Sequence, residues 1–133
     1  MLFDLRTYTC KPGRLKAHLA LYEEFGLGPQ SKNLGEPFAY LVTETGNPNA
    51  YVHIWAYENA GDREAKRAAL WADPEWLAYT KASAELGALE KQENVLMNPV
   101  DFYEAMHFSG LLCSLGQKFN GTCRVQFALR LAC

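Results

Sequence analysis

The sequence predicts an α+β fold, a ferredoxin-like βαββαβ sandwich, on three observations. Stretches that alternate apolar and polar residues are interleaved with stretches whose apolar residues recur at helical spacing, in the order strand, helix, strand, strand, helix, strand. Glycine, proline and asparagine punctuate the joints between them. The chain of 133 residues is long enough for one core and too short for two. One sheet with both helices on one face is the economical packing for this order, with the first and third strands expected as its parallel central pair.

Each element has a local warrant. Leu2–Cys10 alternates and is rich in Leu, Phe, Thr and Tyr, so it reads as a strand, stopped by Lys11-Pro12-Gly13. Leu15, Leu19, Tyr22 and Phe25 form a helical stripe, and Gly26, Gly28 and Pro29 are expected to end that helix. Residues 38–45 read as a second strand. The turn residues Gly46-Asn47-Pro48-Asn49 lead into a third, residues 50–58, so the two should pair as an antiparallel hairpin. Asn59 or Asp62 can cap a helix through residues 63–71. Asp73-Pro74 restarts it, with Asp at the cap and Pro in the first turn, where a missing N–H costs nothing. Gly87 closes that piece after about Leu86, and Leu89–Met97 is the last strand.

Composition narrows the function classes. A net charge of −2 argues against a nucleic-acid partner, which would call for a basic stripe. No apolar run reaches the roughly 18 residues of a membrane span. The opening MLFDLRTYTC carries an acid at position 4 and no basic flank or apolar h-region, so it does not read as a signal peptide. Cys10, Cys113, Cys123 and Cys133 match no zinc spacing and are expected to be reduced thiols in the cytoplasm, with no metal and no cofactor. Residues 1–104 hold all 15 acids and 10 of the 13 basic residues, a balance of −5, whereas residues 105–133 hold three basic residues and no acid. A body over residues 1–103 and an atypical tail over 104–133 are therefore expected. The tail reads as disordered and as a frame-shifted or vector-derived extension, or alternatively as an arm reaching across a dimer.

The stretch "YVHIWAY", residues 51–57, is the chemically suggestive one. One face of that strand carries Tyr51, His53, Trp55 and Tyr57. The other carries Val52, Ile54 and Ala56, which read as ordinary core. In the first strand Arg6 and Tyr8 share a face, and the second strand adds Tyr40 and Glu44. If these strands are neighbours, Arg6, Tyr8, Tyr40, Glu44, His53 and Trp55 supply a cation, an imidazole, a carboxylate and stacking surface, the makings of a ligand pocket. Histidine can also serve as general base or metal ligand. The plainer alternative is a hydrogen-bonded core or interface His53, with Arg6 paired to Glu44 or Glu93. "DREAKRAAL" reads as a solvated helix face in which Glu64 partners Arg67 or Lys66, "ALWADPEWLAY" as helix packing kinked at Asp73-Pro74, and His18 as half-exposed. Glycine-rich phosphate loops, H-E-x-x-H, G-x-S-x-G and C-x-x-C are absent. The helices cover one sheet face only, so the other is expected to be buried against a second copy.

With "LRTYTCKPGRLKAHLALYEEFGL" and "YVHIWAYENAGDREAKRAALWADPEW" in hand, the chain resembles the NIPSNAP family over about residues 2–100. The resemblance implies a dimeric α+β barrel in which two ferredoxin-like sheets pack face to face. It also implies kinship with small monooxygenases, muconolactone isomerases and haem-degrading enzymes, whose pockets lie between sheet and helices. It looks most like a bacterial member, and no defined activity follows from membership. Two functions are expected. The first is binding of a small, mostly apolar molecule, with cofactor-independent oxygenase or isomerase chemistry as its extension; haem binding through His53 would be a variant. The second is a non-catalytic dimeric interaction or signalling module.

Overall fold

The computed structural model describes residues 1–102, and within them Met1–Pro99 form one compact unit. The predicted tail lies outside the described residues. Strand β1 (Leu2–Cys10) is followed by helix α1 (Leu15–Leu21), a π-helical turn (Tyr22–Gly26) and helix α2 (Leu27–Leu34). The hairpin β2 (Ala39–Val42) and β3 (Ala50–Tyr57) comes next, then helices α3 (Ala60–Ala72) and α4 (Pro74–Leu86), and strand β4 (Leu89–Met97) closes the unit. The sheet order is β2-β3-β1-β4. This is the ferredoxin-like α+β fold expected from the sequence.

The strand directions correct one expectation. β1 and β3 pair antiparallel, as do β1 with β4 and β2 with β3. The physical reason is the crossover. The helical connection makes β1 and β2 parallel but not adjacent, and β3, turning back from β2, fills the gap antiparallel to both. β2 is also shorter than predicted, because pairing with β3 runs only from Ala39 to Val42 and residues 43–49 form the loop.

The first helical run goes further than its glycines suggest. Gly26 and Gly28 do not end it; the chain passes through the π turn, where the Leu27 N–H donates to the Tyr22 carbonyl, and stops at Gly35 with φ 84°. Gly26 serves a packing need instead. A Cβ there would lie 2.6 Å from Tyr22 Cδ2 and 3.1 Å from the Tyr79 ring, so only a bare Cα lets the two phenols close over the turn. Pro29 falls in the first turn of α2, where its missing N–H is tolerated. Phe25, expected in the apolar stripe, is half-exposed because the wide turn rotates it outward.

The second helical run breaks where predicted. The Asn59 side chain accepts from the Asp62 N–H at 3.0 Å, and Asp62 Oδ2 accepts from the Glu58 N–H, which caps α3. Asp73 Oδ1 caps α4 by accepting from the Glu75 N–H at 2.9 Å. Its Oδ2 takes Asn33 Nδ2 at 2.9 Å and Lys32 Nζ at 3.0 Å, so one carboxylate ties α2 to the start of α4. Those two bonds, Asn33 first, hold the Asp73 carboxyl at about 2, below the usual carboxylate range. Gly87 ends α4 in the left-handed region.

The core lies between sheet and helices. Tyr22, Leu34, Trp55, Tyr57, Leu70, Trp76 and Tyr79 pack together there. Tyr51, His53, Trp55 and Tyr57 of β3 are all buried against the helices, whereas Val52, Ile54 and Ala56 are only partly covered. The expectation that the aliphatic side is ordinary core is therefore corrected: the helices took the aromatic face and left the aliphatic one open. The strand register places Phe3, Leu5, Val95 and Met97 on that same open face.

Candidate functional site

Two cross-strand pairings assemble the site. Arg6 of β1 lies opposite His53 of β3, with Tyr8 opposite Tyr51 and Asp4 opposite Trp55. On the far side of β3, Tyr40 of β2 lies opposite His53. Directly opposed residues share a face, so Arg6, Tyr8, Tyr40, His53 and Trp55 come together beneath the helices. Glu44 does not join them. It lies beyond the end of β2 in the exposed hairpin loop.

Arg6, Tyr8, Tyr40, Tyr51 and His53 line a cavity of about 430 Å³ between sheet and helices, with Tyr22 and Gln30 from the first helical run and Arg67, Trp71, Trp76 and Tyr79 from the second. Trp55 packs behind the lining, in the core. The wall is stacked rings. Tyr40 stacks on Tyr22 at 5.1 Å and on His53 at 5.0 Å between centroids, and Tyr8 meets His53 edge-on at 4.7 Å. Burial pushes the Tyr22, Tyr40 and Tyr51 phenols up, so they remain O–H groups at neutral pH.

His53 is 2% exposed, and its state follows from one bond. Trp55 Nε1–H donates to His53 Nδ1 at 2.7 Å. An indole nitrogen only donates, so Nδ1 carries no proton and the neutral ring holds its proton on Nε2. Burial, then the positive charge of Arg6, pulls the His53 pKa down to about 3, which keeps the ring neutral. Nε2 is buried and has no protein partner. The group is thus a donor without an acceptor. An axial ligand to haem iron must present a lone pair and usually anchors its other nitrogen by donating from it. Trp55 reverses both conditions, so His53 does not fit that role. Among the described residues no cluster of three His, Cys, Asp or Glu side chains could hold a metal ion.

Arg6 is held from two sides. Its Nε donates to Asp4 Oδ1 at 3.2 Å and its Nη1 to the Tyr8 hydroxyl at 3.0 Å. Asp4, fully buried, gives its other oxygen to Arg63, with Nη2 at 2.8 Å. Arg6 therefore pairs with neither Glu44 nor Glu93, since Glu93 projects to the opposite face and pairs with Lys91. The α3 charges differ from expectation too: Lys66 pairs with Asp62, Arg63 reaches Asp4, and Arg67 turns to the cavity. His18 is buried, not half-exposed, and shares a 2.7 Å hydrogen bond between its Nε2 and the Tyr51 hydroxyl.

Sequence reasoning missed Asp4, Arg67, Tyr22, Trp76 and Tyr79 as site residues. Alternation already placed Asp4 on the face of Arg6 and Tyr8, and a lone carboxylate beside an arginine on a core-facing strand was the available signal. For Arg67 there was none, because helical spacing does not tell which charged flank overhangs a cavity.

Fold and site together define an α+β sandwich with an aromatic, cation-bearing pocket between sheet and helices. The NIPSNAP family model matches residues 3–104, and the chain belongs to that family. It is similar to a NIPSNAP family protein of unknown function from Agrobacterium tumefaciens, with 39% identity over 77% of this chain and 90% of that one and a TM-score of 0.71. It is also similar to an uncharacterized NIPSNAP domain protein from Burkholderia xenovorans, with 33% identity over 77% and 97% of the two chains and a TM-score of 0.71. A putative antibiotic biosynthesis monooxygenase from Nitrosomonas europaea, at 14% identity, 75% and 99% coverage and a TM-score of 0.55, shares the fold. No curated protein sequence matches the chain.

Proposed function

We propose that this protein binds a small, mostly apolar molecule in the cavity between sheet and helices. The observation that carries the reading is a 430 Å³ space lined largely by rings, in which the His53 and Trp76 ring N–H groups are buried without a protein acceptor. Buried polar groups are ordinarily satisfied, so these two orphan N–H donors, with the unpartnered Tyr22 hydroxyl of the same lining, are most simply explained by a ligand that accepts from them. Arg6, Tyr8, Tyr40 and His53 form its sheet-side floor. Trp55 acts from behind by fixing His53, and Glu44 takes no part.

The lining holds no carboxylate, its buried phenols stay protonated, and His53 carries its proton on Nε2. No group there is poised to abstract a proton. The reading is therefore binding first, with any isomerase or cofactor-independent oxygenase chemistry drawing on the ligand's own reactivity. The active unit is taken as residues 1–103, paired with a second copy through the open sheet face. The free, buried Cys10 thiol is what the reducing cytoplasm maintains.

A second reading, a non-catalytic interaction module, draws on the apolar open face alone. One experiment separates the two. Purified protein is incubated with a metabolite extract, washed, and its retained small molecules are identified, beside an Ala84→Trp variant that adds an indole to the α4 side of the lining. Retention by the wild type and loss in the variant is expected. Equal, empty spectra from both would leave the interaction module standing.

A further inference from the structure

We infer that the cavity is built for a planar organic anion, an aromatic or conjugated carboxylate, with Arg67 as its charge partner. This rests on the binding reading above and names the ligand class. The first support is the charge inventory. Arg6 and Arg67 both line the cavity and no carboxylate does. Asp4, behind the lining, already divides its two oxygens between Arg6 and Arg63. Arg67 is half-buried, and among the described residues it makes no ion pair with a carboxylate; the Tyr57 phenol lies against it. Burial and the neighbouring charge of Arg6 lower its proton affinity, as expected of a cation short of counter-charge. An arginine does not escape by deprotonating, so a half-buried one is relieved by an anion.

The second support is the polarity of the remaining groups. His53 Nε2–H and Trp76 Nε1–H are donors without acceptors. A carboxylate has two oxygens and no N–H or O–H to compete with them. Aromatic faces by themselves would also attract a cation, but Arg6 and Arg67 stand in the same lining and repel one. The stacked rings of Tyr22, Tyr40 and His53 then favour a flat, conjugated body over a bulky aliphatic one.

Matched acid and alcohol pairs test this on the full chain: 2-naphthoate with 2-naphthalenemethanol, and cinnamate with cinnamyl alcohol, titrated by calorimetry at pH 7.5. At least one acid should bind about tenfold or more tightly than its alcohol, the scale of one charge-assisted hydrogen bond. Arg67→Gln should lose that preference while keeping alcohol binding, and Arg67→Lys should keep most of it. Alcohols binding as well as acids would overturn the anion assignment and leave the binding reading standing. Binding of neither would overturn both. An acid preference unchanged in a folded Arg67→Gln variant would overturn the role given to Arg67.

Discussion

At position 53 the surroundings, and not the residue type, decide the chemistry. A histidine ordinarily titrates near neutrality, yet burial and the Arg6 charge hold His53 down to about 3. Between those values an unfolded chain binds a proton that the folded chain refuses. Stability from this group is therefore complete above about pH 6.5 and is lost progressively as pH falls toward 3. Between pH 7.5 and 5 the loss amounts to about 2 kcal/mol. Urea unfolding at the two pH values should show the wild type losing about 2 kcal/mol more than His53→Gln. Parallel losses in the two proteins would mean that His53 titrates freely. Sequence alternation put His53, Arg6 and Tyr8 on their strand faces correctly. It could not reveal the charge state, because that depends on burial beneath the helices and on Arg6, which reaches His53 only once the strands pair.

The element most informative about folding is the π turn. Two glycines two residues apart in sequence meet opposite fates there. Gly26 lies beneath the Tyr22 and Tyr79 rings, and Gly28 has nothing within 4 Å of an added Cβ. Alanine has the better helix propensity at both, by about 1 kcal/mol. At position 26 overpacking against the rings outweighs that gain, and Gly26→Ala should cost about 1–3 kcal/mol. Gly28→Ala should stabilise by up to about 1 kcal/mol. Opposite signs in thermal melts of the two variants would bear this out; two stabilised proteins would show that the rings can move aside. The glycines looked like stop signals because a local rule counts conformational freedom. The need for a bare Cα comes from how the Tyr22 ring is packed, together with Tyr79, more than fifty residues away in the chain.

For the molecule as a whole, the open sheet face is decisive. Leu41, Val95 and Met97 are 55%, 54% and 50% exposed on the single chain, and the partly covered Phe3, Leu5, Val52 and Ile54 share their face. A continuous apolar sheet face of this kind is seldom left to water. Light scattering should give twice the chain mass. Ile54→Glu, which sets a charge at the centre of that face, should give a single chain with unchanged far-UV circular dichroism. A wild-type monomer would refute face-to-face pairing. The cavity lies on the opposite, helix-covered side, so binding should survive the variant if each subunit folds alone.

The order βαββαβ, the caps at Asn59 and Asp73, the stop at Gly87 and the alternation of β1 and β3 were all legible from the sequence, since each depends on residues a few positions apart. The signature segments likewise sufficed to place the chain in the NIPSNAP family. Only the tertiary structure decided which face of β3 meets the helices, that β1 and β3 run antiparallel, and that Asp4, Arg6, Arg63 and Arg67 converge on one site. Those outcomes turn on crossover geometry and on contacts between elements far apart in the chain, and periodicity carries no record of either.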